Sequence, residues 1–254
     1  PLYFAGRGEG CVPDVTADAF FGGRVTVFQP RKGFRAGTDS ILLATALPAD
    51  ASGQVLEFGC GAGGALLPAM SRLEVPHFTG REKDPERVGL ARRGVTENAF
   101  DVRGSVVKGD VADLDPAWQN RFDLVFSNPP FFEAGAIPAP GAGKDAAYLE
   151  SVTLKDWINA MLFSLKPKGT IILVHRAADL ARILSILRRQ SGEITVLPIH
   201  SYPGEDAKRV LVRARKGLRP GPLRLLEPRY LYTERGGPRT AWAFSMQQDG
   251  IGID

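Results

Sequence analysis

The 254-residue chain is 44% hydrophobic and 24% charged, which is ordinary for a soluble globular protein and leaves room for one large α/β domain with additions or two small ones. No apolar run approaches the ~20 residues of a membrane helix, and the opening PLYFAGRGEG lacks the basic-then-apolar pattern of a secretory signal. The net charge of +4 is mildly basic, and the two cysteines, Cys11 and Cys60, have no metal-ligand spacing, so a reducing, cytosolic setting without metal or membrane is expected, with a Cys11–Cys60 disulfide left open.

Residues 1–50 read as an N-terminal extension. GRVTVFQP (23–30) predicts a strand ended by Pro30, and TDSILLATAL (38–47) a short helix capped by Thr38 or Asp39. From Gly53 the pattern changes to alternating strands and helices. QVLEFG, HFTGRE, SVVKGD and FDLVFS predict four strands, the last nearly all apolar. GAGGALLPAMSRL and DPERVGLARRGVTENAF predict the helices between them, the second with Asp84 as cap and Pro85 at its first position. After FDLVFS comes a Gly/Ala/Pro-rich loop at 133–147. TLKDWINAMLFSLKPKG predicts a helix stopped by Pro167 and Gly169. TIILVH is a fifth strand, and ADLARILSILRRQSG a helix closed by Gly192. EITVLPIHSY and AKRVLVRAR are two last strands with no helix between them.

Strand–helix alternation implies a doubly wound, mostly parallel sheet, here of seven strands, covered by helices on both faces. The helix-free ending adds an antiparallel strand at that edge. The domain frame is therefore an extension over 1–50, a core over 51–217 and a basic tail over 218–254.

VLEFGCGAG (55–63) places Glu57, Gly59, Gly61 and Gly63 directly after the first strand. Glycines there allow a sharp turn and close approach of the backbone to a ligand at a helix N-terminus. Alone, this pattern fits a dinucleotide site, a nucleoside site or a plain tight turn, and Gly64 keeps a nicotinamide-dinucleotide reading formally open. Glu82 ends the second strand, where a carboxylate can accept from both ribose hydroxyls. Asp110 ends the third, within reach of an adenine amino group. Helix capping explains any one of these acids; three at successive strand ends of one sheet point to a ligand. Ser127-Asn128-Pro129-Pro130-Phe131-Phe132 closes the fourth strand. An exocyclic amine on a base is a poor nucleophile, because its lone pair is delocalised into the ring. The Asn128 side-chain oxygen and the Pro129 carbonyl can each accept one N–H of such an amine and stabilise the positive charge that develops. Pro129 and Pro130 fix the backbone, and Phe131 offers a face for a planar base. Phe132 has no assignable role.

VLEFGCGAG, GREKDPE, KGD and SNPPFF together resemble the motif series of the class I S-adenosylmethionine-dependent methyltransferases, a Rossmann-like fold whose sheet ends in an antiparallel hairpin. The resemblance implies that Glu57, Gly59 and Gly61 hold the methionine end of S-adenosyl-L-methionine, Glu82 its ribose and Asp110 its adenine. It also implies that Asn128, Pro129, Pro130 and Phe131 form the catalytic motif of enzymes that methylate planar amino nitrogens (adenine N6, guanine N2 or a glutamine amide), and that Asn128 contacts the cofactor as well. A cysteine-nucleophile route is unsupported.

FQPRKGFRAGTDSILLATALP (28–48) and AKRVLVRARKG (207–217) resemble one family within this class, the bacterial tRNA1(Val) adenine-N6 methyltransferases, over roughly residues 18–217. These modify the adenine next to the anticodon, adenine 37. In that family the N-terminal segment packs near the site, which implies that Arg35, Thr38 and Asp39 close over cofactor or substrate. After Gly217 the resemblance fades. Basic residues at Arg31–Arg35 and Lys208–Lys216 flank the expected site along the chain, as a tRNA partner requires. Methylation of rRNA guanine, DNA adenine or a release-factor glutamine uses the same chemistry, and a non-catalytic RNA-binding module keeps the same fold.

Overall fold

The computed structural model describes residues 15–32, 35–74, 76–131 and 152–253. Its main sheet is built from β3 (Gln54–Phe58), β4 (His77–Glu82), β5 (Gly104–Lys108), β6 (Phe122–Ser127), β7 (Leu165–Arg176), β8 (Ser191–His200) and β9 (Ala207–Lys216). They run in the order β5-β4-β3-β6-β7-β9-β8, parallel from β5 to β7. β9 is antiparallel to both neighbours and lies between β7 and β8, one place in from the edge. Beyond β8 the tail adds two short parallel strands, β10 (Arg224–Leu225) and β11 (Arg229–Tyr230).

Alternate residues of each strand face opposite sides of the sheet, and this sorts the interior into two clusters. Val55, Leu124, Phe126, Ile172 and Val174 point to one side, where they meet helices α1 (Thr38–Thr45), α2 (Leu66–Arg72) and α3 (Pro85–Glu97). Leu56, Val125, Ile171, Leu173 and Val212 point to the other, under α4 (Leu154–Ser164) and α5 (Leu180–Leu187). Each fully buried Leu, Ile, Val or Phe is worth about 1.5–3 kcal/mol, so both faces are held by apolar burial.

The flanks complete the first face. β1 (Val15–Phe20), unforeseen from the sequence, forms an antiparallel hairpin with β2 (Val25–Pro30), and the pair packs on α2 and α3. A tail helix, α6 (Ala241–Asp249), also unforeseen, rests on α1 and brings Met246 into the same core. Beyond it, Ile253 N–H donates to the Thr45 carbonyl at 3.2 Å.

Local signals hold in places and yield in others. Asp84 caps α3, accepting from the N–H groups of Glu86 and Arg87, with Pro85 at the first position. Neither Thr38 nor Asp39 caps α1. Gly37 stands at the cap without a side-chain bond, because Asp39 is drawn away to Arg209 on β9. α4 stops at Ser164, ahead of Pro167, where the N–H groups of Asn120 and Arg121 take its last carbonyls. Lys166–Gly169 join β7 instead as its irregular start. α5 ends at Leu187, and Gly192 belongs to β8. A side chain on Gly192 would strike the carbonyl of Arg219, so that glycine serves close packing of the tail and not helix closure. Phe132 and the loop at 133–147 lie outside the described residues.

On β6, Asp123 accepts from Gln54 N–H at 2.8 Å and pairs with Lys166 at 2.8 Å. Burial favours the protonated carboxyl, but Lys166 and the backbone donors outweigh it and hold Asp123 below its ordinary value. A lowered folded-state pKa adds stability above the unfolded value of about 4, and that stability is lost as pH falls through the lower folded value. We expect Asp123→Asn to lose under about 1 kcal/mol at neutral pH, since solvent screens the pair. It should also flatten the acid limb of stability below about pH 4. Urea denaturation across that range checks this; an acid limb identical to wild type would rule it out.

Candidate active site

The carboxyl ends of β3, β4, β5 and β6 surround two adjoining hollows, of roughly 440 and 50 Å³, which share Gly59, Gly61, Arg87 and Asn128 as lining. The glycine turn after β3 forms their common wall. Gly59 and Cys60 N–H groups donate to the Arg81 carbonyl at 2.8 and 3.1 Å, which lashes the turn to β4. Gly59 and Gly61 have φ of +66° and +56°, a left-handed conformation that favours glycine. A Cβ on Gly59 would also lie 2.8 Å from the Trp157 ring.

Two carboxylates stand at this wall. Glu82 is buried; its Oε2 accepts from Gly61 N–H and its Oε1 from Asp84 N–H, each at 2.9 Å. Each carboxylate oxygen has a second lone pair, and Glu82 lines the larger hollow, where those lone pairs suit a pair of ligand hydroxyls. Glu57 lines the smaller hollow and is fully buried. Its Oε2 has no hydrogen-bond partner in the protein. Burial, and then the nearby charge of Glu82, push the Glu57 carboxyl well above its ordinary value. Leaving an ionised carboxylate unpaired in the interior costs several kcal/mol, a cost that a cationic group bound in the smaller hollow would offset. Cys60 is a free, buried thiol, held protonated by burial and by Glu57 and Glu82, which suits packing and not nucleophilic attack.

The opposite wall carries Asn128, Pro129, Pro130 and Phe131, all lining the larger hollow. A buried relay sets their position. Trp157 on α4 donates its indole N–H to Ser127 Oγ at 2.9 Å, and Ser127 Oγ donates to the Phe58 carbonyl at 2.7 Å. The last residue of β6 is thus tied to β3 and α4 immediately before Asn128. Phe131 is 37% exposed, unusual for a large aromatic and apt for one that receives a ligand.

Three expected residues do not line either hollow. Arg35 pairs with Asp18 and donates to the Pro30 carbonyl at 2.9 Å, so it braces the N-terminal hairpin. Thr38 opens α1 and lines neither hollow, whereas its neighbour Asp39 does line the larger one. Asp110 turns toward Ala112 N–H at 2.9 Å, while Gly109 and Val111 on either side face the hollow. The basic strand also divides. Arg209 pairs with Arg176 at the site end of β7, but Arg215 pairs with Thr170, six residues and roughly 20 Å away. Only Lys208 and Arg209 of the Lys208–Lys216 margin sit beside the site, because an extended strand spreads consecutive charges along its length.

Residues that motif reading missed include Trp157, Arg81, Lys83 and Gln29. Arg81 is buried with its guanidinium 4.7 Å from the Trp118 ring centre and bonded to the Asp113 carbonyl. Gln29 receives Ala36 N–H at 2.6 Å, which places the segment before α1 against the smaller hollow. Arg81 and Lys83 flank Glu82 in GREKDPE, and Gln29 lies in FQPRKGF, so those segments signalled the site without singling out these side chains; Trp157 reads as a core residue of its helix. Among the described residues no group of three or more His, Cys, Asp or Glu is placed to hold a metal ion, and no helix is long and apolar enough to cross a membrane.

The family model described as methyltransferase small domain matches residues 26–197. The chain belongs to this methyltransferase family. A relative from Porphyromonas gingivalis, named tRNA1(Val) (adenine(37)-N6)-methyltransferase, is 30% identical over 205 residues, 76% of this chain and 79% of its own. One of the same name from Shewanella baltica is 28% identical, over 70% of this methyltransferase and 76% of the relative. The fold is similar to that of a predicted O-methyltransferase from Agrobacterium tumefaciens, with TM-score 0.68, 26% identity, 85% of this chain and 98% of that one covered. It is also similar to the T. thermophilus 16S rRNA N2 G1207 methyltransferase, with TM-score 0.57, 22% identity, 80% of this chain and 50% of that one.

The Glu57 arrangement sets stability against binding in this methyltransferase. With its folded-state pKa raised, Glu57 favours the folded protein only as pH falls and the carboxyl gains a proton. We expect Glu57→Gln to raise the thermal midpoint of the ligand-free protein at neutral pH, with the gain shrinking toward acid pH. The same change should weaken cofactor binding about tenfold or more. Calorimetry of both transitions checks the pair of effects; a variant destabilised at neutral pH would overturn the assignment.

Proposed function

We propose that the protein transfers a methyl group from S-adenosyl-L-methionine to the N6 amine of adenine 37 in tRNA1(Val), the activity that its relatives' name carries. The observation that carries this reading is the meeting of two walls. The glycine turn with Glu82 faces the Asn128–Phe131 motif across the larger hollow, Glu57 lines the smaller one, and Asn128 borders both.

The residues fit the cofactor on the protein's own geometry. The unpartnered Glu57 Oε2 suits its ammonium, Glu82 its ribose hydroxyls, and the Gly109–Val111 edge with Arg81 leaves room for its base. When bound, the cofactor supplies an electrophilic methyl on a sulfonium. Asn128 Oδ1 and the Pro129 carbonyl accept the two N–H groups of the target amine, orient its lone pair and stabilise the positive charge that grows on nitrogen. The excess proton then leaves to water, so no strong base is needed. An amine offers two N–H groups to these two acceptors, whereas a hydroxyl offers one; this favours nitrogen over oxygen as the acceptor atom.

Phe131 provides the stacking face for a base lifted out of the anticodon loop. Arg31, Lys32 and Lys208 supply cationic groups for the surrounding phosphates. Residues 51–217 form the catalytic domain in this reading, the described part of 1–50 a cover on the cofactor side, and 218–253 a buttress along β8 and over α1. A tRNA substrate places the enzyme in the cytoplasm.

Two outcomes test this. Incubation with unmodified tRNA and labelled cofactor, followed by nucleoside mass spectrometry, is expected to yield N6-methyladenosine; N2-methylguanosine or no label would refute it. Asn128→Ala is expected to lower kcat by about 10²–10³-fold, a larger effect than on cofactor affinity. Phe131→Ala should also lower turnover and spare cofactor affinity, and Glu82→Ala should do the reverse at first order.

A further inference from the structure

The ring of Phe131 is held by groups from two other strands. His175 on β7 meets it edge-on, with ring centres 5.2 Å apart at 80°. Arg209 on β9 places its guanidinium over the ring at 4.7 Å, and Arg176 lies at 5.6 Å. Arg209 is itself anchored. Its Nε donates to Asp39 Oδ2 at 2.8 Å, and a terminal nitrogen donates to the Lys208 carbonyl at 3.2 Å. Asp39 lies on α1, 170 positions earlier in the chain, and lines the larger hollow, which Arg209 does not. The side chains of the pair are 29% and 24% exposed, so solvent screens it only in part.

One contact therefore joins the N-terminal segment, the antiparallel strand and the Asn-Pro-Pro-Phe motif at the mouth of the hollow. A guanidinium attracts the negative face of an aromatic ring and is flat enough to lie along it. With Nε committed to Asp39, the plane of the guanidinium is fixed. The Phe131 ring is then fixed against it, with His175 as the stop at its edge. The parts left exposed belong to the wall of the hollow.

We propose that Arg209 is a positioning residue for base capture: anchored by Asp39, it holds the Phe131 ring in the orientation that an incoming planar base stacks upon. This rests on Phe131 being the stacking face. It sets Arg209 apart from the phosphate-binding cations, and it gives the N-terminal segment a part in substrate recognition through Asp39.

Fluorine NMR of protein carrying 4-fluorophenylalanine tests the positioning without any substrate, with the Phe131 signal assigned by its loss in Phe131→Leu. In Arg209→Met and in Asp39→Asn that signal is expected to shift toward the free amino acid and to sharpen, while the other phenylalanine signals stay. Arg209→Lys, which keeps the charge but not the flat stack, should fall between. An unmoved Phe131 signal in Arg209→Met overturns the proposal. The second arm is methyl transfer to unmodified tRNA at saturating cofactor. Arg209→Met is expected to lower kcat/KM about tenfold, with cofactor affinity within about twofold of wild type. Introduced into Phe131→Ala, the same change should cost less than about twofold. Fully additive losses, or a slope of log KM on log salt reduced by about one, mean that Arg209 meets an RNA phosphate directly and overturn the proposal. A wild-type protein that methylates no tRNA counts against the function proposed above, and the fluorine result then decides the positioning role by itself.

Discussion

The site depends on one backbone constraint: the turn after β3 must run close enough to β4 for its N–H groups to be taken up there. Gly59 and Cys60 donate to the Arg81 carbonyl, and Gly61 donates to the Glu82 carboxylate. These bonds satisfy donors that would otherwise be left unpaired in the interior. They need left-handed backbone at Gly59 and Gly61, which glycine accepts without strain. Once the turn is drawn in, Glu57 and Glu82 converge, and the smaller hollow opens beneath α1 and the turn itself. The raised pKa of Glu57 follows from that convergence: burial acts first, then a neighbouring like charge.

Facing it, the Asn128 motif is positioned by polar contacts within the opposite core. The Trp157–Ser127–Phe58 relay is fully buried at its centre, so neither hydrogen bond competes with water. It fixes the end of β6 relative to β3, and the width of the hollow with it. Trp157 serves twice, since its ring also lies against Gly59 where a Cβ would intrude. A single tryptophan thereby connects the cofactor wall to the catalytic wall.

The flanking segments are joined to the fold at both ends of the chain. The β1–β2 hairpin packs on α2 and α3, Gln29 receives the backbone of Ala36, and α6 lies across α1. Much of α1 is buried in consequence, with Ile41 to Thr45 sealed beneath neighbours, so Asp39 projects from a rigid support. Arg209 reaches that support from β9, the strand that runs against the others. Antiparallel direction is what brings the start of β9, with Lys208 and Arg209, to the carboxyl end of the sheet. A parallel strand would have delivered Arg215 and Lys216 there instead.

Sequence by itself determined the seven main strands, the helices between them and the motif residues on the two walls. Burial periodicity, glycines after a strand and Asn-Pro-Pro-Phe at a strand end are local patterns with local causes: alternation of side chains, backbone freedom, and proline's fixed φ. For the same reason Asp84 and Pro85 were legible as the start of α3. Tertiary structure alone decided the capping of α1, the end of α5, the pairing of Arg35 with Asp18, the entry of Trp157, Arg81 and Gln29 into the lining of the hollows, and the placing of Arg209 against Phe131. Each of these depends on a partner distant in the chain: Asp39 on Arg209, Gly192 on Arg219, Trp157 on Ser127, Arg35 on Asp18. A side chain with two possible partners takes the one that packing brings within reach, and packing is settled only when the whole sheet has closed.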